Sequence, residues 1–224
     1  MRIEKYGVTL KRVRHSDIEM LRHWRNAEHI RQTMEFRAEI TPEMQEKWFL
    51  TIDNFTNFYL IIHYEGKDIG LINAKNVDWE KQEFESGVFI HDTSYYQTFV
   101  PAIVSLMITD VFFNLFGWPS VYAHILKTNN IARQFNEMLG YKLCENQENV
   151  ENQLYKLRIT DFEQKTIKIR KALDKLYPDN KQALFIFDSY DVESGLADFT
   201  INLIKKVFPD HKSQTKGDLL IYPF

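Results

Sequence analysis

The sequence contains a single cysteine, Cys144, among its 224 residues. One cysteine cannot form an internal disulfide and is too few for a cysteine-based zinc cluster, and we predict no metal site. Scarce cysteine is typical of proteins in a reducing compartment, so we expect a cytoplasmic location.

Long apolar runs and a strong net charge are also missing. The first residues lack the apolar segment that a secretory signal needs. The longest apolar run, residues 101–118, is interrupted by Thr109, Asp110 and Asn114, and it is shorter than the roughly 20 residues that cross a bilayer. The net charge of −3 predicts no basic surface for nucleic acid. We therefore expect neither a membrane nor a nucleic acid as partner.

The sequence does have the apolar content of a globular core, at 44% of its residues. Up to residue 160, the patterns predict a strand, two helices, three strands, a helix, a strand, a helix and two strands. This order predicts the α/β (α+β) class, with a mixed, mostly antiparallel sheet flanked by helices on both faces.

Residues 161–224 are predicted to add a helix, a strand, a second helix and a final strand. Such a β-α-β unit is small for an independent core. We therefore divide the chain into a domain over residues 1–160 and a small C-terminal extension or lobe over residues 161–224. The pattern leaves open whether this part extends the main sheet or forms a lobe on it.

Residues 83–116 are predicted to bind a phosphate-bearing ligand. A strand over residues 84–91 leads through a polar loop to a helix that begins at Pro101 and ends near Phe116. The first amides of a helix have no internal partner, and the helix dipole adds positive charge there. The loop has no glycine between Asp92 and Pro101, so it lacks the small residues with which a backbone wraps a pyrophosphate. A core helix packed on a sheet would give the same pattern.

The predicted order of strands and helices, together with three sequence motifs, resembles the GCN5-related N-acetyltransferase (GNAT) superfamily. The strongest is residues 128–141, TNNIARQFNEMLGY, which is similar to the family helix that begins with N-x-x-A/S and ends with glycine and an aromatic residue. Residues 21–26, LRHWRN, and residues 45–49, QEKWF, are typical of the branch that acetylates nucleotide-linked amino sugars or ribosomal-protein N-termini. The resemblance covers residues 9–158.

The resemblance implies acetyl-CoA as cofactor, with its pantetheine on the strand and its pyrophosphate on the following loop and helix. The loop here reads SYYQTF over residues 94–99, without the small residues of the family pattern. The tyrosine that protonates the leaving thiolate in many members falls at Asn136. The implied cofactor-binding residues are Phe89, Ile90, His91, Gln97, Thr98, Phe99, Val100, Ala102, Asn129, Arg133 and Asn136.

Acetyl transfer needs an amine that can lose a proton and a polarised thioester carbonyl. By resemblance, Glu85 is the candidate catalytic base, and the backbone N–H near Ile90 polarises the carbonyl. His91 is a second catalytic candidate, since histidine titrates near neutral pH. The candidate acceptor-binding residues are Trp24, Arg25, Asn26, Met34 and Trp48.

Each candidate also has a structural alternative. Glu85 could be a strand residue paired with a lysine or arginine, Asn129 could cap a helix, and Trp24 could pack in the core.

The function predicted from these residues is direct acetyl transfer from acetyl-CoA to the primary amine of a nucleotide-linked amino sugar. A protein N-terminus is the alternative acceptor, and a homodimer is compatible with either reading. A third possibility is a fold relative that has lost transfer activity and binds a ligand or a protein.

Overall fold

A computed structural model describes residues 1–210, 212–217 and 219–223. The described residues form eleven strands in one sheet, with helices on both of its faces. The strands are β1 (Arg2–Lys5), β2 (Val8–Arg12), β3 (Phe58–Tyr64), β4 (Lys67–Asp78), β5 (Glu83–Ile90), β6 (Ser120–Leu126), β7 (Lys142–Leu143), β8 (Asn152–Arg158), β9 (Leu184–Phe187), β10 (Gln214–Lys216) and β11 (Leu219–Pro223). The helices are α1 (Ile18–Asn26), α2 (Glu28–Arg31), α3 (Pro42–Ile52), α4 (Val100–Asp110), α5 (Asn130–Leu139), α6 (Ile159–Leu176), α7 (Ser189–Glu193) and α8 (Leu196–Val207).

The strand order across the sheet is β10-β11-β9-β1-β2-β3-β4-β5-β6-β8-β7. Neighbouring strands are antiparallel except β5 and β6, which are parallel. The predicted mixed, mostly antiparallel sheet is therefore confirmed. Among the described residues, no helix is long and apolar enough to span a membrane.

The C-terminal segment adds strands to this sheet. β9 pairs with β1, and β11 pairs with β9, so the sheet continues beyond the strand that opens the chain. α6 begins directly after β8 and packs Phe162 and Leu173 into the larger core. The division into residues 1–160 and 161–224 stays a proposal about how the chain is organised.

The prediction missed two strands and shifted one helix. β1 has a single buried apolar residue, Ile3, among charged neighbours, and β10 has none, so neither strand shows an alternating pattern. The helix expected from Pro101 to Phe116 begins one residue earlier, at Val100. It ends at Asp110 and continues as a π-helical turn through Leu115.

The two faces of the sheet have different cores. The larger core lies on the face that carries α4 and α6, and α4 is buried at almost every position. The smaller core lies under α1 and α3, where Leu21, Trp24 and Phe49 pack on Ile61 and Leu71 of the sheet. This second face also carries the candidate site.

β5 and β6 pair at one position, Glu85 opposite Tyr122. No β6 residue is paired with residues 86–90 of β5 in the described structure, although β4 pairs with them on the other side. The two parallel strands therefore diverge toward the end of β5, and the gap between them leads to the loop before α4.

Candidate active site

The gap beside β5 leaves backbone groups of that strand without a strand partner. The N–H of His91 donates to the carbonyl of Ile69 on β4 at 2.7 Å. Because successive residues of a strand direct their N–H groups to opposite edges, the N–H of Ile90 is directed toward the gap. The structure therefore has the open strand edge that the predicted pantetheine site requires at residues 89–91.

Hydrogen bonds within the loop between β5 and α4 hold its conformation. The Asp92 side chain accepts from the Ser94 amide at 3.1 Å, and the Thr98 hydroxyl accepts from the Val100 amide at 3.2 Å. Gln97 and Phe99 are exposed, with 47% of Phe99 accessible. The predicted cofactor residues Gln97, Thr98, Phe99, Val100 and Ala102 thus lie together, at the loop and the first turn of α4, while Ala102 itself is buried.

The three predicted residues of α5 mostly support their own helix. Asn129 caps it by accepting from the Ala132 amide at 3.1 Å, and Asn136 donates to the Ala132 carbonyl at 2.8 Å. Arg133 donates to the Lys127 carbonyl at 3.4 Å, and its Nε is buried without a partner among the described residues. The structure gives the helix-cap role to Asn129, and Arg133 has a buried donor without a partner among the described residues.

Glu85 lies at the centre of a charged group on the α1 face. Its Oε1 is 2.7 Å from Lys75 Nζ of β4 and 3.1 Å from His124 Nδ1 of β6. The Glu85 side chain is 14% exposed, whereas that of His124 is 40% exposed. The carboxylate is thus held between two strands, and the imidazole is the member of the pair that solvent or a ligand can reach.

The sequence did not identify Lys75 or His124. Lys75 is opposite Glu85 in the β4–β5 hairpin, so the alternation of that hairpin could have indicated it. His124 lies on β6, which follows the helical crossover from β5. The sequence of a crossover does not show which residues of the two strands will lie next to each other.

Three buried polar side-chain atoms have no partner within the described part of the chain, and they lie on the same side of the sheet. They are Arg25 Nε on α1, Asn73 Oδ1 on β4 and His91 Nδ1 at the end of β5. Asn73 is opposite Gly87, and a Cβ at Gly87 would lie 3.3 Å from Asn73 Nδ2. Buried polar groups in folded proteins are almost always paired, so a cluster of unpaired ones indicates a place where a ligand supplies the partners.

Aromatic rings surround these atoms. His91 stacks on Trp24 with ring centroids 5.3 Å apart and planes 14° apart, and Phe89 meets the edge of Trp24 at 6.5 Å. Trp48 meets Tyr59 edge to face at 5.1 Å, next to Asn73 in the sheet register. The predicted residues Trp24, Arg25, Trp48 and His91 are therefore brought to one region.

Asn26 and Met34 are placed differently. Asn26 donates to the Ile40 carbonyl at 2.9 Å and accepts from the Ile40 amide at 2.8 Å, so its side chain ties α1 to the connection before α3. Met34 lies in that connection, half-buried, and its carbonyl accepts from Arg37 at 3.1 Å. Asn26 positions the segment that covers the site, and its amide has little capacity left for a ligand.

Burial shifts the pKa values of the ionisable groups in this region. Loss of solvent lowers the pKa of the Arg25 guanidinium and raises the pKa of the Tyr59 phenol. The pKa of His91 is lowered, first by burial and then by the nearby His29, whose Nε2 lies 3.0 Å from the His91 carbonyl. His91 is therefore a neutral imidazole at neutral pH.

The fold of this chain is similar to that of several solved acetyltransferase structures. FdhC, described as a nucleotide-linked sugar GNAT, is 16% identical with a TM-score of 0.64, over 77% of this chain and 98% of its own. The spermidine N-acetyltransferase of Vibrio cholerae, in complex with CoA and spermine, is 16% identical with a TM-score of 0.58, over 70% and 98%. An aminoglycoside acetyltransferase in complex with coenzyme A is 17% identical with a TM-score of 0.57, over 70% and 98%. At these identities the likeness concerns the fold.

No curated protein matches the sequence. The family model of the acetyltransferase (GNAT) domain matches residues 8–142, which is more than half of the chain and contains the gap, the loop and the charged group on β5. The chain therefore belongs to the GNAT acetyltransferase family.

Proposed function

We propose that this protein transfers the acetyl group of acetyl-CoA directly to the primary amine of a nucleotide-linked amino sugar. The observation that carries the proposal is the cluster of unpaired buried polar atoms, Arg25 Nε, Asn73 Oδ1 and His91 Nδ1. These atoms lie on the sheet face that also carries Glu85 and His124, at the side of the strand gap. A substrate bound there would satisfy them and would place its amine near a proton acceptor.

The residues at the gap fit acetyl-CoA, which supplies an activated acetyl thioester. The open edge of β5 at Phe89–His91 would pair with the amide groups of the pantetheine. The loop over residues 97–99 and the first turn of α4 would receive the pyrophosphate, because amides at a helix start attract anions. The side chains of Gln97 and Phe99 in this loop are exposed. Arg133 Nε offers a further donor for a phosphate.

The N–H of Ile90 is the proposed donor to the thioester oxygen. It is directed toward the gap, and a backbone donor fixed in a strand needs no rearrangement when negative charge develops on that oxygen. This role depends on the same open edge that would bind the pantetheine.

The Glu85–His124 pair is the proposed route for the proton. The amine must be neutral when it attacks, so it must lose one proton to a neighbouring group. His124 is the more exposed of the two and lies on the cleft side, so it would accept that proton. Glu85, 3.1 Å from His124 Nδ1, would orient the ring and stabilise the imidazolium that forms. Lys75 Nζ, 2.7 Å from Glu85 Oε1, holds the carboxylate in place.

An amino-sugar nucleotide suits the chemistry of the cleft. Trp48 and Tyr59 are only partly buried and offer apolar ring surface that would pack against a sugar or a base. Arg25 can pair with a diphosphate. Two cations, Arg25 and Lys75, lie beside the cleft and would repel a polyamine, which carries several positive charges of its own.

Two measurements test this proposal in sequence. Acetyl-CoA at about a hundred times its Kd should stabilise the folded protein by about 2.7 kcal/mol and raise its melting temperature. Absence of a shift at millimolar acetyl-CoA would overturn the transferase function and favour a module without transfer activity.

The second measurement compares acceptors by CoA release. UDP- and dTDP-linked amino sugars should be turned over faster than short peptides with free N-termini and faster than spermidine. A preference for peptides would replace the sugar-nucleotide acceptor by a protein N-terminus, and a preference for spermidine would contradict the argument from Arg25 and Lys75.

A further inference from the structure

A second cleft, of about 270 Å³, lies where the C-terminal extension joins the sheet. Its base is formed by β9, β1, β2 and β3, and its walls come from the turn before α1 and the start of α7. The charged residues that line it are Arg2, Lys11, Arg12, Arg14, Asp17 and Asp188. Both parts of the chain are needed to build it, because Asp188 belongs to the extension and the other five precede α1.

This cleft is separate from the candidate active site. The sheet register runs from Lys11 through Ile61 and Leu71 to Phe89, one residue on each strand from β2 to β5. Three strand spacings of about 4.8 Å separate the two ends of this row by about 14 Å. Ile61 and Leu71 are buried under α1, which therefore lies between the two sites.

The base of the cleft brings two like charges together. Arg2 on β1 and Lys11 on β2 are direct partners in the antiparallel register, so their side chains leave the same face of the sheet. Like charges directly opposite each other destabilise a sheet. On either side of them, Ile186 and Ile61 continue the row as buried apolar residues. The two cations thus form a positive strip between apolar walls.

Arg2, Lys11 and Arg14 each have a carboxylate neighbour, which lies outside the cleft or at its edge. Arg2 Nε donates to Glu4 at 2.8 Å, Lys11 Nζ donates to Asp68 at 2.7 Å, and Arg14 donates to Asp188 at 2.6 Å. These contacts hold the side chains in position but use only one guanidinium nitrogen of each arginine. The remaining N–H groups of Arg2 and Arg14 have no hydrogen-bond partner among the described residues, and the Arg14 guanidinium lies 4.9 Å from the centre of the Tyr190 ring.

Three cationic side chains, those of Arg2, Lys11 and Arg14, meet on this face of the sheet beside the carboxylates of Asp17 and Asp188. Arg12 leaves the opposite face of β2, where its guanidinium lies 5.4 Å from the centre of the Phe58 ring. The volume of the cleft is far larger than one water needs and slightly smaller than the roughly 300 Å³ at which pockets for drug-sized ligands begin. Arginine and lysine together recognise phosphate groups through several charge-assisted hydrogen bonds.

We infer that this cleft is a second binding site, which takes a small phosphate-bearing molecule between Arg2, Lys11 and Arg14. The phosphate would lie over the Arg2–Lys11 strip and relieve the repulsion between these two cations. The proposed site is independent of acetyl transfer. Because it lies at the junction, a bound ligand would contact both the C-terminal extension and the family domain.

Titration calorimetry with inorganic phosphate, at constant ionic strength set by sodium chloride, tests this site. The protein should show saturable binding with one phosphate per chain in the millimolar range or below. The double variant Arg2→Gln/Lys11→Gln should weaken that binding by about tenfold or more, because two charge-assisted contacts are lost. The single variant Arg14→Gln should weaken it to a smaller extent.

A matched control removes two charges elsewhere. Lys205→Gln/Lys206→Gln changes two exposed lysines of α8 and should bind phosphate as the unchanged protein does. Succinate in place of phosphate distinguishes a phosphate site from a general dianion site, and equal binding of the two would overturn the assignment to phosphate. Absence of saturable binding, or equal binding by the Arg2→Gln/Lys11→Gln variant with an unchanged melting temperature, would overturn the site itself.

Discussion

The replacement Glu85→Gln tests the proposed proton route most directly. Glutamine has nearly the same shape as glutamate, so the packing between β4, β5 and β6 is kept. The change removes the negative charge that lies 3.1 Å from His124 Nδ1 and 2.7 Å from Lys75 Nζ. The imidazolium that forms when His124 takes the proton then has no counter-charge.

General acid–base catalysis contributes roughly 10²–10⁴-fold to an enzymatic rate. The glutamine oxygen can still accept a hydrogen bond from His124, so part of the orientation is kept. We therefore expect kcat to fall at the lower end of this range, by about 100-fold, which is about 2.7 kcal/mol of transition-state stabilisation. The KM for acetyl-CoA should stay unchanged, because Glu85 lies away from the loop that would bind the pyrophosphate.

The assay is the initial rate of CoA release with the amino-sugar nucleotide that gives the highest turnover. Glu83→Gln is the matched control, since Glu83 is the preceding residue on the same face of β5 and contacts the Tyr122 hydroxyl at 3.2 Å. Its kcat should be close to that of the unchanged protein. If Glu85→Gln and His124→Gln both retain full kcat while acetyl-CoA binding is intact, the proton leaves by another route and the reasoning is refuted.

Three further predictions concern the fold around the site. Arg170→Met should lower the free energy of unfolding by about 3 kcal/mol, and the melting temperature by about 6–12 °C, because Asp110, 4% exposed, loses the two hydrogen bonds from Arg170 at 2.9 and 2.6 Å and keeps only the weaker contact with Lys5, at 3.4 Å, as an ion pair. Tyr177→Phe should cost about 1 kcal/mol in urea unfolding, because it removes the 3.1 Å hydrogen bond to the Tyr64 hydroxyl that ties α6 to β3. The pKa of His91 is lowered in the folded protein, so the folded state favours the neutral imidazole. The contribution of His91 to stability is therefore complete above the ordinary pKa of about 6.5 and is lost as the pH falls below that value. His91→Gln should thus reduce the loss of melting temperature between pH 7.5 and pH 5.5.

Each of these predictions has a control in the same element or of the same chemistry. Lys168→Met changes an exposed cation of α6 and should leave the melting temperature nearly unchanged. Tyr190→Phe removes a hydroxyl from an exposed ring and should leave urea unfolding unchanged. A steeper acid loss in His91→Gln than in the unchanged protein would contradict the assigned sign of the pKa shift.

The family domain was predictable because its elements have strong local patterns. Thr41 followed by Pro42 marks the start of α3, and the Thr41 side chain accepts from the Met44 amide at 3.3 Å. Asn129 and Gly140 mark the ends of α5, and Gly140 has a φ of +106°, which favours glycine. Such signals depend on a few neighbouring residues, so a single sequence is enough to interpret them.

The candidate site was only partly predictable because it depends on strand pairing across the sheet. Glu85 was identified by resemblance to the family, but its pairing with His124 depends on the one position at which β5 and β6 pair in the described structure. The unpaired Asn73 Oδ1 likewise depends on Gly87 being its partner in the register. A sequence indicates which residues share a strand, whereas the partner of each residue across a crossover is fixed only by packing.

The position of the extension follows from the physical character of β9. Its residues, Leu184 to Phe187, form an unbroken apolar run, and three of the four are buried. A strand that is apolar on both faces must be covered on both faces and paired on both edges, because an exposed apolar edge invites aggregation. β1 differs, because its charged residues give no apolar pattern from which its position in the sheet could be predicted. It also needs a paired strand on the edge away from β2. The sequence left open whether β9 joins the main sheet, and in the structure its pairing with β1 gives both strands a second neighbour. The same pairing brings Asp188 beside Arg14, so the contact that stabilises the junction also closes the phosphate cleft.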